Sequence, residues 1–104
     1  MEEWEAIDFW ERRRELSSAL HATVIRVLKG ERAMPKALIE TWRAVEVAKK
    51  YGIRVDGGRL LRLWEEFDRK EPPEKGRVFN KINDLIIRAL EEFDGKYYHE
   101  GGNP

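Results

Sequence analysis

The stretch Leu16-Ser17-Ser18-Ala19-Leu20-His21-Ala22-Thr23-Val24-Ile25-Arg26-Val27-Leu28-Lys29-Gly30 decides the fold class. Leu16, Leu20, Val24 and Val27 recur at steps of four and three, which places them on one face of an α-helix. Trp4, Ile7 and Trp10 extend apolar character towards the amino end, so the spacing predicts a helix from about Glu3 to Lys29 that stops at Gly30. Val24-Ile25 and Val27-Leu28 make its last turns apolar nearly all round, an expectation of a deeply buried end.

Working outward, Pro35 suits the first position of a second helix, where its missing N–H would have no helical partner. Leu38, Trp42, Val45 and Ala48, with Ile39 beside them, are the expected buried side, and Gly52 the left-handed cap. Asp56 is an N-cap residue for a third helix carrying Leu60, Leu61, Leu63, Trp64 and Phe67. Glu71-Pro72-Pro73 ends it, because a residue before proline is pushed out of helical geometry. A fourth helix begins within Glu74–Val78, carries Phe79, Ile82, Leu85, Ile86, Leu90 and Phe93, and is expected to end at Gly95. No segment sustains the alternation of a strand, and the connections are short. The expectation is an all-α bundle of about four helices in one domain, residues 1–95, followed by a frayed tail, residues 96–104.

Composition narrows the function. The 104 residues include no cysteine, which excludes disulfides, thiol nucleophiles and Cys-ligated zinc. Lys, Arg and Glu are abundant and Gln is absent, a balance that resembles a thermophile's. The amino terminus is acidic, unlike a signal peptide, and no apolar run reaches the ~18 residues of a membrane span. A cytoplasmic protein without membrane contact is the expectation.

Twenty basic and twenty acidic residues make the chain formally neutral, yet the charge is unevenly spread. Between Arg43 and Leu63 six basic residues face two acidic ones, whereas Glu2–Glu15 holds six acids and three bases. The basic segment includes Val47-Ala48-Lys49-Lys50-Tyr51-Gly52-Ile53, which resembles the first half of a helix-turn-helix: a small residue at the crossing, a glycine four later, then an apolar residue. The resemblance stops after Ile53, because Gly58 stands where the motif wants a buried branched residue. It implies a DNA or RNA backbone as partner, met by Lys49, Lys50, Arg54, Arg59 and Arg62.

Other features compete with that reading. Trp4, Phe9 and Trp10 form an aromatic set among acids that could anchor another protein or a second copy of the chain. Leu60–Asp68 is echoed by Ile86–Asp94, so Glu65/Asp68 and Glu91/Asp94 are carboxylate pairs three apart on helix faces. This pairing resembles the all-α nucleotide pyrophosphohydrolases and would imply Mg²⁺, but Asp68 stands where that pattern wants Glu, and antiparallel helices would separate the two pairs. Arg14 and His21 have a spacing that resembles the Arg-His signature of the HEPN ribonucleases, with Glu15 departing from it. The sequence reading is therefore a binding module with no catalytic residues, metal or cofactor, and nucleic acid is the first partner to test.

Overall fold

The computed structural model describes residues 3–98, with side chains from Glu5 onward. Four helices follow one another: α1 (Glu3–Leu28), α2 (Lys36–Lys50), α3 (Gly57–Arg69) and α4 (Glu74–Tyr97). No strand occurs among the described residues.

Long-range contacts fix the direction of each helix. Arg13 near the start of α1 holds Asp94 near the end of α4, at 2.7 and 3.1 Å. Arg26 near the end of α1 reaches Glu40 in the first half of α2, with Nε 2.8 Å from Oε2. Asp68 at the end of α3 accepts the backbone N–H groups of Ala33 and Met34, which precede α2, at 2.8 Å each. The helices therefore run up, down, up, down. Each packs on its sequence neighbour, α1 also meets α4, and the diagonal pairs stand further apart, with no Cα atoms within 8 Å of each other. This is a four-helix bundle.

Its core is continuous. Leu16, Ile82, Ile86 and Phe93 are almost fully enclosed, and Leu20, Val24, Leu60 and Trp64 join them. One end is closed by Tyr51, Phe93 and Tyr97, with ring centroids 4.8–6.4 Å apart. The other is closed by Trp64, Phe67 and Phe79 at 5.5–6.3 Å. Edge-to-face and tilted contacts of this kind add about 0.5–1.5 kcal/mol per pair beyond the area they bury.

Four expectations are corrected. Helix α2 buries Val45 and Ala48 as expected, but the rest of its inner side is small, Ala37, Thr41 and Ala44, whereas Leu38, Ile39 and Trp42 are 47%, 77% and 47% exposed. Small side chains let α2 lie close to its neighbours, since interaxial distance follows the residues at the contact. The core stripe of α1 is continued by Phe9, seven residues before Leu16, and not by Ile7 and Trp10, which are exposed. The carboxyl end of α1 is not enclosed either, because α1 has neighbours on two sides only and leaves Ile25 and Leu28 outside. Helix α4 runs through Gly95 to Tyr97. A helical glycine costs about 1 kcal/mol. Here Tyr97 offsets that cost by stacking on Phe93 and donating its hydroxyl proton to the Tyr51 carbonyl at 2.7 Å.

Candidate nucleic-acid interface

The junction between α2 and α3 is built from the residues singled out above. Ala48 is fully buried. Gly52 takes φ +70°, a left-handed conformation that glycine adopts without steric cost. That turn lets the Gly52 N–H reach the Lys49 carbonyl and the Ile53 N–H reach the Ala48 carbonyl, each at 2.9 Å. Ile53 then drops into the core. The chain continues to Asp56, whose carboxylate accepts the Arg59 N–H at 3.0 Å and so starts α3 at Gly57. Gly57 is where α3 meets α2: a Cβ there would lie 2.8 Å from Val45 Cγ2 and 3.1 Å from Trp42 Cζ3. The half-exposed Trp42 indole therefore rests on the amino end of α3.

Three hydrogen bonds hold this connection to the bundle. Tyr97 and Lys96 of α4 donate to the carbonyls of Tyr51 and Gly52, and the Tyr51 hydroxyl donates to the Glu15 carboxylate of α1. Tyr51 and Lys50 together hold the Glu15 carboxyl below its usual pKa, with the Tyr51 hydrogen bond the larger cause. Burial, reinforced by that carboxylate, pushes the Tyr51 phenol up.

The five predicted basic residues fall in three places. Lys50 turns towards α1, with Nζ 3.0 Å from Glu15 Oε2. Lys49 and Arg54 line a cleft beside the connection, together with Arg88 of α4, Asp56 and Glu92. Lys49 also sits 3.9 Å from Glu46, both side chains being well exposed. Arg59 and Arg62 line a second, shallow groove with Arg32 and Arg69, beside Glu65 and Glu66. Sequence reasoning missed Arg32, Arg69 and Arg88. Arg69 had a local signal, lying on the solvent side of α3 at helical spacing from Arg62; Arg32 and Arg88 are brought in only by the packing of helices.

Ion pairing separates these groups. Arg54, Arg59, Arg62 and Arg69 are all exposed, and none has a carboxylate oxygen within 4.0 Å among the described residues. Elsewhere, Arg13 and Arg26 are locked to Asp94 and Glu40, which raise both guanidinium pKa values.

The competing features have structural partners. Asp68 is committed to the Ala33 and Met34 N–H groups and lies 3.8 Å from Arg32, and Asp94 is committed to Arg13. The two echoed segments thus end at opposite ends of the bundle, each clamping a different partner. No group of three or more His, Asp or Glu side chains suited to a metal occurs among the described residues. His21 Nδ1 lies 2.8 Å from the Ser17 carbonyl, which can only accept, so Nδ1 carries the proton. Arg14, exposed, stands two turns earlier on the same side of α1. Of the aromatic set, Phe9 is 6% exposed and packs against Phe93 and Tyr98. Trp10 is 53% exposed beneath the Arg13 guanidinium, 5.7 Å from the ring centroid. The side chain of Trp4 lies outside the described residues.

Comparison with protein-family models, curated proteins and solved structures gives no match.

Proposed function

We propose that the chain is a non-catalytic nucleic-acid-binding module that docks on the phosphate backbone through the arginines of the α2–α3 connection and α3. The observation that carries the reading is the set Arg54, Arg59, Arg62 and Arg69: exposed, consecutive among the basic residues of the Gly52–Arg69 segment, and free of carboxylate partners among the described residues. A guanidinium presents a fork of donors that matches phosphate oxygens, and the acidic amino-terminal residues matter little beyond a Debye length of about 8 Å. The helix-turn-helix-like junction supports the reading by setting α3 so that its first two turns carry Arg59 and Arg62 outward. Its contribution is docking, since no side chain is argued to read a base edge.

Fluorescence anisotropy with single- and double-stranded DNA and RNA at several salt concentrations tests this. On duplex DNA the logarithm of the binding constant should fall with the logarithm of salt, with a slope of up to about −3.6 if all four arginines meet phosphates. Replacing Arg54, Arg59 and Arg62 together with Ala should lower affinity and flatten that slope by about 1 per residue engaged. Lys50→Ala should change little, because Glu15 already holds that ammonium. Affinity that is insensitive to salt, or unchanged in the triple variant, sinks the proposal.

A further inference from the structure

Helix α1 carries a second stripe of residues, facing away from the core. Ile7, Trp10, Arg14, Ser17, His21, Ile25 and Leu28 recur at steps of three and four, the heptad spacing of a helix that meets another helix. The four large apolar members are Ile7, Trp10, Ile25 and Leu28, exposed by 57%, 53%, 49% and 71%. They sit at the two ends of the stripe, with polar and small residues between. Large apolar side chains exposed at regular spacing on one helix face mark a contact surface more often than chance.

The order of residues in the stripe identifies the occupant. Read from either end it has the same character: Ile7 corresponds to Leu28, Trp10 to Ile25 and Arg14 to His21, with Ser17 and its neighbour Ser18 at the centre. A two-fold axis requires this, since residue i of one copy faces residue j of the other and j faces i. We infer that the outer face of α1 pairs with α1 of a second copy of this chain, antiparallel, about a two-fold axis passing between Ser17 and Ser18.

Charge supports the antiparallel sense. It sets the acidic first turns, with Glu5, Asp8 and Glu11, against the carboxyl end of the partner's α1, where Lys29 stands. A parallel pair would set acid on acid and align the two helix dipoles unfavourably. At the axis the side chains are small, Ser17 and Ser18 with Ala22 close by, so the helices can approach to an interaxial distance of about 8 Å. Because α1 and α3 are diagonal in the bundle, the pairing leaves the arginine face of α3 open in each copy.

Sedimentation velocity on the full chain without nucleic acid is the first test. The mass should rise from 12.3 kDa towards twice that value as concentration increases from the low micromolar to the submillimolar range. Ile25→Glu and Leu28→Glu should each weaken association about tenfold or more, a loss of about 1.4 kcal/mol, while helical circular dichroism stays unchanged at these exposed positions. The absence of natural cysteine allows the register to be read by oxidation. Ser18→Cys should give a disulfide-linked dimer, Ile7→Cys alone should not, and Ile7→Cys mixed with Leu28→Cys should give the crossed product. A monomer mass at every concentration overturns the inference, and so does Ile7→Cys cross-linking to itself as readily as Ser18→Cys. Neither outcome bears on the arginine face, whose binding is measured separately.

Discussion

Arg26 and Arg62 are the same residue type in opposite circumstances, and the halves of the bundle they belong to differ in the same way. In the α1–α2 half, Arg26 is enclosed by Glu40 and by the carbonyls of Arg32 and Ala33, and its side chain is only 14% exposed. Thr23 adds a hydroxyl donor to the same Glu40 carboxylate at 2.8 Å. On the outer side of α3, Arg62 has no carboxylate oxygen within 4.0 Å among the described residues, and its guanidinium lies beside its own first turn, Nη1 standing 3.6 Å from where a Cβ at Gly58 would be. The first arrangement fastens a loop and two helices. The second leaves a cation open to solvent, where its hydration and charge remain available to a ligand. A high content of charged residues therefore serves two purposes here, and only the pairing pattern separates them.

The largest effect expected from breaking this contrast is Arg26→Ala. It strands a partly buried Glu40 carboxylate and removes two bonds to loop carbonyls, so urea denaturation should show a loss of about 2–4 kcal/mol. Arg62→Ala, at an exposed and unpaired position, should stay within about 0.5 kcal/mol of the parent in the same measurement. Equal losses at the two positions would erase the distinction between the halves.

Next in size is the seam that carries α3. Gly57→Ala forces a methyl group against Val45 and Trp42, and should cost about 1–3 kcal/mol in thermal or chemical denaturation. The shift should be accompanied by a change in Trp42 fluorescence. Acid exposes the paired half more gently. The Arg26 guanidinium, followed by the Thr23 hydroxyl, holds the Glu40 carboxyl below its unfolded value, against an opposing effect of burial. Its stabilisation is therefore complete above the ordinary carboxylate pKa of 4.5 and is lost as pH falls through the lowered folded value. Glu40→Gln should flatten the stability profile below that pH, and an unchanged acid limb would remove Glu40 from the account. The smallest effect belongs to Gly58→Ala. Its new methyl would meet only Arg62 Nη1 at 3.6 Å and Asp56 Oδ1 at 3.7 Å, so helix propensity should decide, with a gain of up to about 1 kcal/mol.

Much of the architecture was legible because it rests on local chemistry. Gly30 and Gly52 end helices where φ must be positive, Asp56 starts one through its own carboxylate, and Pro72-Pro73 separates α3 from α4. These are interactions between residues a few positions apart, and the chain carries them wherever it goes. Part of the candidate interface shares that property: Arg59, Arg62 and Arg69 follow helical spacing, so their common side was readable once α3 was placed.

What only the tertiary structure decided concerns faces and partners. Helix α2 has apolar residues on more than one side, and hydropathy favoured Leu38 and Trp42 beside Val45 and Ala48; the packing of α2 among its neighbours kept Val45 and Ala48 but selected Ala37, Thr41 and Ala44 in place of the two large residues. Gly95 reads as a stop, but Tyr97 finds Phe93 and the Tyr51 carbonyl across the bundle and carries α4 past it. Lys50 reads as part of a basic run, but Glu15, thirty-five residues earlier, neutralises it. The spacing of residues along the chain thus determined four helices and their ends, because capping and periodicity act over a turn or two. Which side of each helix is buried, and which charges remain unpaired, was settled only when all four helices met, because burial and ion pairing depend on what the other elements bring.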